Sequence, residues 1–77
     1  MIPRSEVINC LRREGKWTFE DQTKRVEIYR RGVDRLVIPK CSGFTPDEAA
    51  ILLHQGEIPQ HKIDVFLKTC LKGSDDH

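Results

Sequence analysis

The sequence lacks several things, and each shortage narrows what the chain can be. Its first histidine is His54, so the first 53 residues hold no side chain that ordinarily titrates near neutral pH. No apolar run approaches the ~20 residues needed to cross a bilayer. Arg4 and Glu6 interrupt any signal-peptide core, so the chain is expected to be cytoplasmic with no membrane partner. The three cysteines, Cys10, Cys41 and Cys70, are an odd number, widely spaced and without a C-x-x-C, which fits neither a disulfide framework nor a zinc site. Cys10 and Cys70 fall on apolar helix faces, as buried small hydrophobes do. Five scattered glycines serve turns and caps rather than a phosphate-cradling loop. Ser5, Ser42 and Ser74 sit at a cap, a loop and a tail, away from any strand-turn-helix elbow. Glu20 and Asp21 adjoin on a strand end and are expected to point apart, so no metal pair is expected. His54 and His61, on either side of a helix break, read as surface or helix-end residues. No cofactor is expected.

What the chain does have is charge and pattern. Charged residues are 32% of its 77 residues, and the apolar ones come in periodic stretches, as in one folded domain. The net charge of +1 hides a division. Residues 1 to 40 hold ten Lys/Arg against six Asp/Glu, a balance of +4, and residues 41 to 77 hold three against six, a balance of −3. Such asymmetry points to a basic face that meets nucleic acid or an acidic partner.

The periodicities predict a first helix from about Arg4 to Glu14, with Pro3 or Ser5 at its start and Gly15 as its stop. Val7, Cys10 and Leu11 make its apolar stripe. A short strand follows in "KWTFE", with Trp17 and Phe19 on one face. A second strand runs from about Lys24 to Arg31. There Val26 and Ile28 are assigned to the core, and Arg25, Glu27, Tyr29 and Arg31 to the opposite face. "RGVDR" is a hairpin loop, and "RLVIP" a third strand with Leu36 and Ile38 inward, ended by Pro39. Thr45 and Glu48 form a T-x-x-E capping box with Pro46 at the first helical position, and Phe44 can staple onto Ala49. That helix closes at Gly56. A last helix starts near Pro59 and carries Ile63, Phe66, Leu67, Cys70 and Leu71 inward. The expected fold is α+β: a helix, a three-stranded antiparallel sheet, and two C-terminal helices on one sheet face. Residues 1–72 form the domain and 73–77 a frayed tail.

The open sheet face is then the candidate site. Arg25 and Arg31, with Lys24, Arg30 and Arg35 at the rim, can neutralise phosphates, and Tyr29 can stack on an unpaired base. Two other readings account for the same residues: a solvated strand guarded by charge, or a face that docks an acidic protein.

Several pieces, in order, resemble the HicA family, the toxin partners of HicA–HicB toxin–antitoxin modules. They are Gly15 and Trp17 after the first helix, "EIYR" (Glu27 to Arg30) in the second strand and "VIP" (Val37 to Pro39) ending the third. "LLHQGEI" (Leu52 to Ile58) closes the next helix, with its glycine one place early. The resemblance runs along most of the chain, and no single piece of it is specific. It implies a double-stranded-RNA-binding-like fold, an RNA substrate and a HicB-like antitoxin partner. The family carries a Gly-Ser-His-type motif just before the Tyr, where this chain has Lys24, Arg25, Val26 and Glu27. No catalytic histidine carries over, so binding without nuclease activity is the expectation.

Overall fold

The computed structural model describes residues 1–75. Its elements are β1 (Ile2–Pro3), α1 (Arg4–Gly15), β2 (Thr18–Gln22), β3 (Val26–Arg31), β4 (Asp34–Pro39), β5 (Gly43–Phe44), α2 (Pro46–Gln55) and α3 (Gln60–Asp75). The three-stranded antiparallel sheet has the order β2-β3-β4. The α+β layout is thus the expected one.

Each end of α2 is written in its sequence. The Thr45 hydroxyl accepts from the Glu48 backbone N–H at 3.2 Å, and the Glu48 carboxylate accepts from the Thr45 N–H at 2.9 Å. This reciprocal box satisfies two donors that a helix start leaves without partners. Helix α1 begins differently: Pro3 is its cap residue and no side chain caps it, so Ser5 plays no such part.

The α1 end also departs from expectation. Gly15 is the last helical residue, and Lys16 takes the left-handed conformation with φ 61°. The helix α2 repeats the arrangement, with Gly56 followed by Glu57 at φ 60°. Here the glycines are needed for close approach rather than for a positive φ. A Cβ on Gly15 would lie 2.8 Å from both Ile58 Cδ1 and Trp17 Cδ1, and one on Gly56 would collide with Leu11 Cδ2. Trp17 occupies the space between the two helix ends, its indole N–H donating to the Gly56 carbonyl at 2.9 Å.

The hairpin of β3 and β4 turns on Gly32 and Val33, with Gly32 at φ 63°. Pairing Arg31 with Asp34 across this two-residue loop sets Tyr29 opposite Leu36 and Glu27 opposite Ile38. Leu36 and Ile38 are buried beneath the helices, so Glu27, Tyr29 and Arg31 share that covered face. The sequence expectation for β3 is therefore inverted. Val26 and Ile28 are half-buried residues of the open face, and Tyr29, at 5% exposure, belongs to the core. A bulge at Glu20 sits between the pairs Phe19↔Tyr29 and Asp21↔Ile28.

One core unites Val7, Leu11, Trp17, Ile38, Leu53 and Ile63 with their neighbours. Ile2, Phe44 and Ile58 join it, although no sequence period marks them. Ile2 pairs with Phe44 in a two-residue bridge that ties β1 to β5 ahead of α2. Helix α3 packs on α2 with Ile63 and Phe66 buried, Lys62 reaches Glu14 of α1 at 2.9 Å, and Leu71 is exposed rather than inward. The helix continues to Asp75, so residues 73–75 of the expected tail are helical, and positions 76 and 77 lie outside the described residues. Among the described residues, no helix is long and apolar enough to cross a membrane.

Candidate nucleic-acid interface

The six basic and aromatic residues singled out in the sequence fall into three different environments. Tyr29 and Arg31 lie on the covered face. Arg30 and Arg35 lie on the open face. Lys24 and Arg25 lie in the β2–β3 turn.

Tyr29 cannot stack on a base, because its ring is buried against the core. Its hydroxyl donates to Glu27 Oε1 at 3.1 Å, and the Arg4 guanidinium donates to the same oxygen at 2.7 Å. Arg4 also donates to the Pro39 carbonyl at 2.7 Å. The Arg4 hydrogen bond holds the Glu27 carboxyl below its usual range, with the Tyr29 hydrogen bond adding to it and partial burial opposing it. Burial, and then the carboxylate beside it, push the Tyr29 phenol upward. The three side chains form a closed polar network between α1 and the sheet, in which Glu27 stays ionised and Tyr29 neutral at pH 7.

Arg31 is structural as well. Its guanidinium lies 4.7 Å from the centroid of the Trp17 ring and donates to the Gly15 carbonyl at 3.2 Å. A longer contact of 3.5 Å reaches the Gly56 carbonyl, and Glu57 is its ion-pair partner. A cation there faces the carbonyl ends of two helices at once, where helix dipoles favour positive charge. The residue assigned from sequence to phosphate contact thus closes the gap between α1 and α2.

The open face presents Arg30 and Arg35 with Val26, Ile28 and Val37. Both arginines meet one carboxylate: Arg35 Nε lies 2.6 Å from Glu20 Oε2, and Arg30 Nη1 lies 3.8 Å from Glu20 Oε1. The bulge at Glu20 explains the placement, since the extra residue turns that carboxylate toward the arginines. Two cations sharing one anion leave this patch positive.

Lys24 and Arg25 sit exposed in a turn stapled by Thr23, whose hydroxyl accepts from the backbone N–H groups of Arg25 and Val26, each at 3.2 Å. Neither side chain has an ion-pair partner among the described residues. The same holds for Arg12, Lys16 and Lys40, three cations that the sequence pattern did not single out. Arg12 lies in the last turn of α1 and Lys16 directly follows that helix, and this clustering at the helix end was the available signal. His54 and His61 are both exposed. No group of three His, Cys, Asp or Glu side chains among the described residues is placed to hold a metal ion.

Compared with protein-family models, curated proteins and solved structures, the chain matches none of them.

Proposed function

We propose that the chain is a HicA-like RNA-binding protein that holds RNA by its backbone without cutting it, in a domain of double-stranded-RNA-binding-like layout. The observation that carries this reading is the surplus of cations on the β2–β3 turn and the open face of β3 and β4. Lys24 and Arg25 lack acidic partners among the described residues, and Arg30 and Arg35 share Glu20 alone. From Val26, next to Arg25, to Arg30 the strand rises roughly 13 Å at about 3.3 Å per residue, which spaces these charges along a phosphate chain rather than around a single anion. Backbone contacts of this kind position RNA without reading its sequence.

The absence of cleavage rests on Glu27. Transfer of a 2′-hydroxyl proton near pH 7 is served best by a group titrating there. Glu27 sits where the resemblance would place the histidine region, and its pKa is held low by Arg4. It is therefore a weak base and cannot act as an acid. The same basic surplus suits an acidic HicB-like partner, which would compete with RNA for it.

The test is to incubate end-labelled RNA with the purified protein and, in parallel, with its Glu27→Gln variant. The expected result is retarded RNA of unchanged length in both. Cleavage by the parent that the variant loses would overturn the binding-only reading and make Glu27 the base. Pull-down of the tagged protein from its native host should bring a stoichiometric acidic companion, and its absence would remove the antitoxin partner.

A further inference from the structure

The β2 edge carries an exposed aromatic ring that neither the core nor the hairpin cations account for. Phe19 is 49% exposed, whereas Trp17, Tyr29, Phe44 and Phe66 are all buried. Leaving a phenyl ring half in water forfeits stabilisation that burial would give. Its position is nevertheless well defined. The ring meets Tyr29 edge-on, with centroids 5.8 Å apart and planes at 82°, and Tyr29 is fixed through Glu27 to Arg4. An exposed side chain held by a chain of fixed neighbours is preorganised for contact.

The C-terminal half of α1 and the residues leading into β2 line a shallow depression of Asn9, Arg12, Arg13, Lys16, Trp17 and Thr18. Arg13 is engaged by Glu14 at 3.0 Å, but Arg12 and Lys16 have no carboxylate partner among the described residues. Thr18, on the wall of this depression, directly precedes Phe19 in β2. Basic residues in a last helical turn suit the α1 dipole. That accounts for the cations and leaves the exposed ring unexplained.

We infer that Phe19 is a stacking seat for one unpaired RNA base, with Arg12 and Lys16 holding the phosphates that flank it. This rests on the RNA-binding reading and adds to it a preference for single strands. Aromatic stacking tolerates any base, and the cations contact only backbone, so the seat should not select sequence. Tyr29, the aromatic first assigned to stacking, becomes the support beneath the ring that stacks.

The experiment measures binding of a fluorescein-labelled ten-nucleotide oligo(A) RNA, and of an RNA duplex of similar length, by anisotropy. Phe19→Ala should weaken single-strand binding roughly 5- to 150-fold, the range of one lost aromatic stack, with its salt slope unchanged. Duplex binding should hardly move, and Phe19→Trp should keep or improve single-strand affinity. The double variant Arg12→Ala/Lys16→Ala should instead flatten the single-strand salt slope by about one to two. Circular dichroism of each variant establishes that it folds. Equal single-strand affinity for parent and Phe19→Ala would overturn the seat. If Lys24→Ala/Arg25→Ala still weakened binding in that case, the hairpin reading would stand alone. A parent that binds neither RNA removes both.

Discussion

Replacing Arg31 should damage the fold far more than its position on a basic strand suggests. The guanidinium stacks on Trp17, donates to the Gly15 carbonyl at 3.2 Å and is 29% exposed, so water screens it only in part. A hydrogen bond from a charged donor contributes about 1.5–3 kcal/mol, and a partly exposed cation–π contact about 0.5–1. The pair with Glu57, whose side chain is 69% exposed, adds little. Arg31→Ala should therefore cost ~2–4 kcal/mol when these two contributions are added. For a domain of this size that lowers Tm by roughly 8–30 °C. Arg31→Lys keeps the charge near both helix ends but loses the flat stack and the forked donors, so its cost should fall between parent and alanine. Thermal melts and urea titrations followed by circular dichroism measure both. An Arg31→Ala cost within ~0.5 kcal/mol, as for an ordinary surface residue, would refute the role of Arg31 in joining α1 to α2.

Gly15→Ala should destabilise, because its Cβ would meet Ile58 Cδ1 and Trp17 Cδ1 at 2.8 Å while the indole is held by the Gly56 carbonyl. Overpacking of about 1–3 kcal/mol outweighs the ~1 kcal/mol that alanine gains in a helix, and urea melts following Trp17 fluorescence would report a variant of equal stability if that contact were absent. Stability should also depend on Glu27 in acid. Its folded pKa lies below the unfolded value of about 4.3, so its contribution is complete above that pH and is lost as the pH falls through the folded pKa. Urea melts of parent and Glu27→Gln from pH 7 to pH 2 should show a shallower acid loss in the variant, and parallel curves would remove this linkage.

Where the sequence was informative, a local signal and the tertiary fold agreed. The capping box at Thr45 and Glu48, the stop at Pro39 and the stripe of Leu52 and Leu53 each have a cause within a few residues. The second strand was misassigned because its letters invite it. Val26 and Ile28 look like core, and Glu27, Tyr29 and Arg31 like surface. The covered face accepts those polar residues only because Arg4, from α1, satisfies Glu27, and because two helix ends meet at Arg31. Neither partner is visible within the strand. The register was nevertheless within reach: a two-residue loop at Gly32 and Val33 fixes Tyr29 opposite Leu36, and Leu36 was already assigned inward. Ile2 and Phe44 could not be placed by period, because a two-residue bridge has none. The candidate site changed accordingly. Lys24, Arg25, Arg30 and Arg35 stay at the surface, Tyr29 and Arg31 leave it, and Phe19, Arg12 and Lys16 enter.

The salt dependence of RNA binding tests the central claim most directly. The parent and the Lys24→Ala/Arg25→Ala variant are titrated with the same RNA at a series of salt concentrations. With about three phosphates neutralised by the hairpin, log K for the parent should fall with log salt at a slope of −2 to −3, taking roughly 0.7 to 0.9 per contact. Contacts from Arg12 and Lys16 on a single strand would steepen it further. The variant, with its fold intact, should show a slope flatter by about one to two. A parent whose weak affinity does not change with salt, or a variant with the parent's slope, would contradict the account.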